Sequence, residues 1–243
     1  MVALSPGIDR MNRTGYPGTR ILFYSLLIAA GFLSACKKEK VPPISLHYDY
    51  FPVTRGSWVI YNVDSIYHAE TDNDNDDSVY AFHFQEMYML DSTYIDASGN
   101  EAQVLLRYKR NTSGDEWTFA SAWTQSLNLS SAYRTEENVR YHKLAFPISE
   151  DINWDGNDGN IHDEEMYHYL SVHEQQTINT LSFDSTITIL QRDDNNYVEK
   201  IYGKEIYANG VGMVFKERDD LGKRNGVVVS GLEYKMIVVD YGR

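Results

Sequence analysis

The chain has 243 residues, 35 Asp+Glu against 22 Lys+Arg, a net charge of −13 and one Cys. That balance excludes a broad basic surface for nucleic acid, and one Cys excludes an internal disulfide.

Residues 1–35 read as a secretory signal. Ile21 to Ala35 is uncharged and apolar through Leu22, Phe23, Leu26, Leu27, Ile28 and Phe32, and Arg13 and Arg20 precede it. A positive segment ahead of a short apolar run is the layout of a signal peptide. The run is shorter than the roughly 20 apolar residues of a spanning helix. It closes on Leu33-Ser34-Ala35-Cys36, which resembles the lipobox cut by bacterial lipoprotein signal peptidase. The resemblance implies a diacylglycerol on the Cys36 sulfur and cleavage just before it, which makes Cys36 the membrane anchor. An ordinary signal with a chance Cys, or an uncleaved anchor, is the competing reading. Removing residues 1–35 takes away three Arg and one Asp and leaves 208 residues of net charge −15 (Lys+Arg 19, Asp+Glu 34). Residues 36–45 then form the lipidated N-terminus and a spacer. Lys37, Lys38 and Lys40 suit an anionic surface, and Val41-Pro42-Pro43 is stiff.

Residues 46–243 read as a single all-β domain. Ten strands are predicted by period-two alternation: Trp58 to Tyr67, Val79 to Leu90, Val104 to Lys109, Trp117 to Trp123, Val139 to Phe146, Met166 to His173, Leu181 to Leu190, Tyr197 to Tyr207, Val211 to Glu217 and Leu232 to Val238. Tyr80, Phe82, Phe84, Tyr88 and Leu90 share one face, broken only by Glu86. Trp117, Phe119 and Trp123 share another, and Val104, Leu106 and Tyr108 alternate with Leu105, Arg107 and Lys109. Turn formers such as Ser98-Gly99-Asn100, Asp193-Asp194-Asn195-Asn196 and Asn209-Gly210 separate them. About ten antiparallel strands point to one curved sheet or barrel; the alternative is a two-sheet β-sandwich.

Several stretches resemble uncharacterised lipoproteins of the Bacteroidota. They are Tyr50-Phe51-Pro52 with Gly56, Trp58 and Tyr61; Trp154-Asp155-Gly156-Asn157; Tyr169 with Ser171-Val172-His173-Glu174; Leu181 with Phe183-Asp184-Ser185-Thr186; and Tyr207-Ala208-Asn209-Gly210-Val211-Gly212-Met213-Val214. Asp158-Gly159-Asn160 departs from that pattern. The resemblance carries no catalytic residue. From the residues alone, Trp58 reads as a core anchor, and Gly210 and Gly212 as a tight hairpin with a close strand contact. Surface-bound lipoproteins of the Bacteroidota resemble one another in an acidic run after the lipidated Cys. Lys37-Lys38-Glu39-Lys40 is net basic, which implies the periplasmic face of the outer membrane.

No motif carries a reaction. His173-Glu174 begins like a zincin helix but lacks the second His and lies on a strand pattern. His168 and His173 fall on opposite faces of a regular strand. Gly210-Val211-Gly212 has Phe215 at the third glycine position of a dinucleotide fingerprint. Asp72 to Asp77 alternates oxygen ligands as a calcium loop would. The run from Asp155 fails the EF-hand pattern at positions six and twelve, Asn160 and Met166. Solvated loops held by Asx turns are the plainer account of both. No cofactor and no metal site is therefore expected. Asp-Ser pairs at Ser65, Ser78, Ser92 and Ser185 resemble Bacteroidota O-glycosylation sites, of which Ser78 and Ser92 should be exposed beside a strand. Turn and strand-end chemistry explains the same pairs.

The expected function is a non-catalytic, membrane-tethered binding module for a small apolar or aromatic ligand or a partner protein. The alternative is a structural accessory subunit of a cell-envelope assembly. A solvent-reachable cavity would favour the first, and a filled barrel with an exposed apolar patch the second.

Overall fold

Period-two alternation becomes twelve antiparallel strands in one sheet. The computed structural model describes residues 45–70, 78–97 and 99–243. Cys36, residues 1–35, the spacer, Ser98 and Asp72 to Asp77 lie outside the described residues. The strands are β1 Trp58–His68, β2 Val79–Ile95, β3 Glu101–Arg110, β4 Thr118–Leu127, β5 Ser131–Glu136, β6 Val139–Ala145, β7 Asn153–Asp155, β8 Met166–Ile178, β9 Leu181–Asn195, β10 Glu199–Ala208, β11 Gly212–Arg224 and β12 Val227–Gly242. No helix among the described residues is long and apolar enough to cross a membrane.

All ten expected strands are present, with β5 and β7 added. β7 is three residues long, too short to show a period. β5 hides its inward face behind charge, because Arg134 and Glu136 stand there. The sheet runs β6-β5-β4-β3-β2-β1-β12-β11-β10-β9-β8-β7. Its two edge strands, β6 and β7, meet and nearly close a barrel, so the sandwich alternative is set aside. The seam is stapled in place of a full ladder. The His142 N–H donates to the Gly156 carbonyl at 2.9 Å, Asn160 Nδ2 to the Arg140 carbonyl at 2.9 Å, and the Tyr169 hydroxyl to the Ala145 carbonyl at 2.6 Å. Gly156 is required here, since a Cβ would stand 2.2 Å from the Tyr167 ring. Asp158 accepts from His142 Nδ1 at 3.0 Å.

One end of the barrel is plugged. A 3-10 turn, Tyr48–Tyr50, buries Tyr50 and Phe51 completely or nearly so. The plug is tied down by Gln125 Nε2 to the Pro52 carbonyl at 2.7 Å and by the Gly210 N–H to the Asp49 carbonyl at 2.9 Å. Tyr50 hydroxyl meets His173 Nδ1 at 2.8 Å and Ser185 Oγ at 2.7 Å. The stretches around Tyr50, His173, Ser185 and Gly210 thus converge on this closed end. Above the plug lie Val59, Tyr61, Leu90, Leu105, Leu144, Ile187, Ile189 and Tyr207, all buried. Near-complete exclusion of these side chains from water is the main stabilising term of the fold.

Four expectations need correction. Trp58 is half-buried on the outer face, against Gly242, where a Cβ would stand 2.8 Å from the ring. The neighbours Val59 and Tyr61 are the core anchors. Phe119 is 57 % exposed while Trp123 is buried. A register shift between Arg107 and Tyr108 puts Phe119 opposite Tyr108 and flips its face. On β3 the inward row is Leu105, Arg107 and Lys109, because Leu105 pairs with inward-facing Leu90 and Arg107 with inward-facing Tyr88. Finally, Ser92 does not flank its strand. A bulge at Asp91 lets β2 continue to Ile95, and Ser92 pairs with Val104, so it and Ser78 are both only half-exposed.

Candidate binding site at the open end of the barrel

Glu86, the lone charge on the apolar face of β2, points inward and is met there. Arg107 Nη2 donates to both of its carboxylate oxygens at 3.1 and 2.9 Å. The guanidinium also lies 3.9 Å over the Trp123 ring and reaches Glu137 at 2.9 Å. Across the barrel a second group forms from four strands. Lys143 (β6) approaches Glu205 (β10) at 2.6 Å and Glu136 (β5) at 3.3 Å. Lys216 (β11) approaches Glu136 at 3.4 Å and Glu205 at 3.5 Å. Tyr207 donates to the other Glu205 oxygen at 2.7 Å. Two cations and two anions therefore alternate around a ring with no net charge.

Burial pushes the Glu205 carboxyl up, but Lys143 and Lys216 outweigh it and hold it down at about 2. The same balance depresses Glu136. Lys216 is moved the other way: burial lowers it, while Glu136 and Glu205 raise it further. Glu136, Glu205 and Lys216 therefore stay ionised across the physiological range.

This ring is the floor of a cavity of about 290 Å³, walled by Trp123, Tyr141, Tyr167, Gln191 and Arg218. A wall rises above it. β3 ends at Arg110 opposite Gln85, whereas β1 and β2 stay paired to His68 and Val79. Six further residues of strand add about 20 Å. Register defines the inner face of that wall in tiers. The first is Lys216, Met236, Val63 and Phe84; the next is Arg218, Tyr234, Ser65 and Phe82; the third is Asp220, Leu232, Tyr67 and Tyr80. The lowest tier is in the core. Higher up, Phe82 is 52 % exposed, Tyr80 52 %, Tyr67 48 % and Leu232 41 %. The face expected from Tyr80 to Leu90 is therefore one face, but it passes from core to open aromatic surface.

The outer face carries other chemistry. Asn62 pairs with Gln85 at 2.8 Å, His83 with Asp64 at 2.5 Å and Lys204 with Glu217 at 3.6 Å. An outer surface of this kind is unlike the apolar band of a barrel that spans a bilayer.

The remaining candidates are placed elsewhere. His168 lines a surface recess with Asp163 and Asp193, while His173 faces the plug, 4.2 Å from the His47 ring. Bulges at Leu170 and His173 break the regular alternation of β8. In the Asp155 loop, Asp155 Oδ1 accepts the N–H groups of Asn157 and Glu165, each at 2.9 Å. Its carboxylate is occupied by the loop's own backbone. Among the described residues no group of three or more His, Cys, Asp or Glu side chains is placed to hold a metal. The charged ring was not anticipated from sequence. Its one signal was a charge on an inward strand face, Glu205 between Gly203 and Tyr207 on β10; Glu86 on β2 gave the same signal for the neighbouring Arg107 pair.

No protein-family model matches the chain, and no curated protein matches it. Among solved structures it is similar to a protein of Parabacteroides distasonis ATCC 8503 described as a lipoprotein. The TM-score is 0.42 at 12 % identity, covering 79 % of this chain and 98 % of that one. A likeness this weak leaves the functional assignment to the chain's own residues.

Proposed function

We propose that this is a lipid-anchored protein of the cell envelope, tethered through Cys36 on the periplasmic face of the outer membrane, and that its barrel is a non-catalytic binding cup. The anchor rests on the order of Arg13, Arg20, the apolar run and Leu33-Ser34-Ala35-Cys36. The observation that carries the binding role is the cavity of about 290 Å³ opening directly beneath an exposed aromatic wall. Concave sites that combine apolar surface with a few fixed polar groups are the usual form of a small-ligand pocket. A ligand with a polar end and an apolar or aromatic body matches both parts. Its polar end would sit on the charged floor beside Arg218, and its body would lie along Phe82, Tyr80 and Tyr67. The accessory-subunit alternative keeps one supporting feature, the same exposed wall, which a partner chain would cover.

The test uses the full chain purified in mild detergent from the membranes of its native host. Mass spectrometry should find one small molecule retained by the wild type and lost from Phe82→Ser. Cys36→Ala should move the protein out of the membrane fraction with the molecule still bound. A wild type that carries no small molecule, or one retained equally by Phe82→Ser, would overturn the cup. A stoichiometric partner protein in place of the small molecule would establish the accessory role.

A further inference from the structure

The closed end holds a second, smaller cavity, of about 30 Å³, between the plug and the first residues of β1. Most of its lining is apolar: Val59, Leu90 and Leu105. Two polar groups on it are unusual. Arg134, 7 % exposed, has a buried Nε with no hydrogen-bond partner, and Ser57 has a buried Oγ with none. The other polar groups nearby are committed. Tyr61 donates to the Met213 carbonyl at 2.8 Å, and Gln125 donates to the Pro52 carbonyl at 2.7 Å while accepting from Arg134 Nη2 at 3.1 Å.

Arg134 also has no carboxylate within ion-pairing distance among the described residues. The carboxylates nearest in influence are Glu136 and Glu205, and both are engaged by Lys143 and Lys216. This buried guanidinium touches one neutral amide and lies 5.4 Å from the Phe51 ring; Glu136 and Glu205 act on it only through space, so no counter-ion touches it. What the site lacks is an acceptor in contact with the buried Arg134 Nε and Ser57 Oγ. Proteins either pair a buried charge or satisfy it with a bound species.

We infer that the space between Arg134 and Ser57 is a binding site for one small monovalent anion of halide size, chloride under ordinary conditions. The Arg134 Nε–H and the Ser57 hydroxyl both donate to it, and the surrounding Val, Leu and Tyr side chains exclude bulk water. A single water fits the volume, but it would leave the guanidinium with no counter-ion in contact and bring two protons of its own. A tetrahedral oxyanion is too large. The site is separate from the binding cup, and its occupant stabilises the contact between β5 and the plug.

The experiment compares the full chain in detergent in sodium chloride, sodium bromide and sodium gluconate at equal ionic strength. Either halide should raise Tm saturably by roughly 2–4 °C over gluconate, which is too large to enter. The rise should disappear in Arg134→Met and shrink in Ser57→Ala; the latter variant keeps the test readable if the former does not fold. Crystals of the full chain grown in bromide should show one anomalous peak between Arg134 Nε and Ser57 Oγ. Equal melting in all three salts, or a water without anomalous signal at that position, would overturn the site.

Discussion

The two ends of the barrel are built from the same inward-facing strand positions and do opposite things. At the closed end, Val59, Tyr61, Leu105 and Tyr207 fill the lumen, and a segment from outside the sheet caps it. At the open end the next inward positions are Lys109, Glu136, Lys143, Glu205, Lys216 and Arg218, and a cavity remains. Nothing in the period distinguishes them. What differs is the residue type at alternate positions and how far each strand runs past its neighbours. A period of two decides which side chains face in; charge and strand length decide whether they make a core or a cup.

The charged ring is where that contrast is most easily broken. Glu205→Met keeps the volume but leaves Lys143 and Lys216 sharing Glu136 alone. Breaking a buried pair from one side costs about 3–5 kcal/mol, which denaturant melts should show. Asp194→Ala, at the exposed Arg192–Asp194 pair, should cost under about 1 kcal/mol. Acid sharpens the same point. Glu205 is held at about 2 in the folded chain, against about 4.3 unfolded. A depressed carboxyl contributes fully above its unfolded value and loses that contribution as pH falls through its folded one. Wild-type stability should therefore drop more steeply than that of Glu205→Met between about pH 4.3 and pH 2. Parallel curves would mean that the ring carries no such linkage.

Much of the fold was legible in the sequence because backbone alternation is local. All ten predicted strands form, and Tyr88 and Leu90 lie on the inner face their pattern assigned them. The failures share a cause. Phe119 changed face because of a bulge, and Ser92 stayed inside its strand because of another; a bulge depends on the partner strand and leaves no trace in one strand's period. Arg107 and Lys109 were placed with the mixed face of β3. The register with β2 turns them inward, where Arg107 meets Glu86 and Lys109 lies over the Phe84 ring, pairings visible only in three dimensions. The candidate site is made of such long-range pairs, so the sequence showed the aromatic half of it and not the charged half.

The plug offers the next effect in size. Gly212 has φ +97°, and a Cβ there would stand 3.1 Å from Pro52 Cδ. Gly212→Ala forces both an unfavourable backbone conformation and a push on the plug. It should cost about 1–3 kcal/mol and lower the thermal midpoint without changing the charged ring's acid response. A shift in the acid response as well would show that the two ends are coupled.

The smallest effect expected is the most telling for function. Phe82 and Tyr88 lie on one face of one strand, six residues apart; Phe82 is 52 % exposed and Tyr88 5 %. Tyr88→Ala removes a ring packed against Tyr61 and Trp123 and should cost about 3–5 kcal/mol, as other core aromatics do. Phe82→Ser deletes a ring that water already covers on one side, so the free energy of unfolding should move by no more than about 0.5 kcal/mol. A core residue cannot be removed without loss of stability, whereas a binding residue can. If Phe82→Ser costs as much as Tyr88→Ala, the wall is packed in solution and the cup ends at Phe84. If stability is unchanged while the retained small molecule is lost, the aromatic tiers belong to the site, and the strand passes from fold to function between Tyr88 and Phe82.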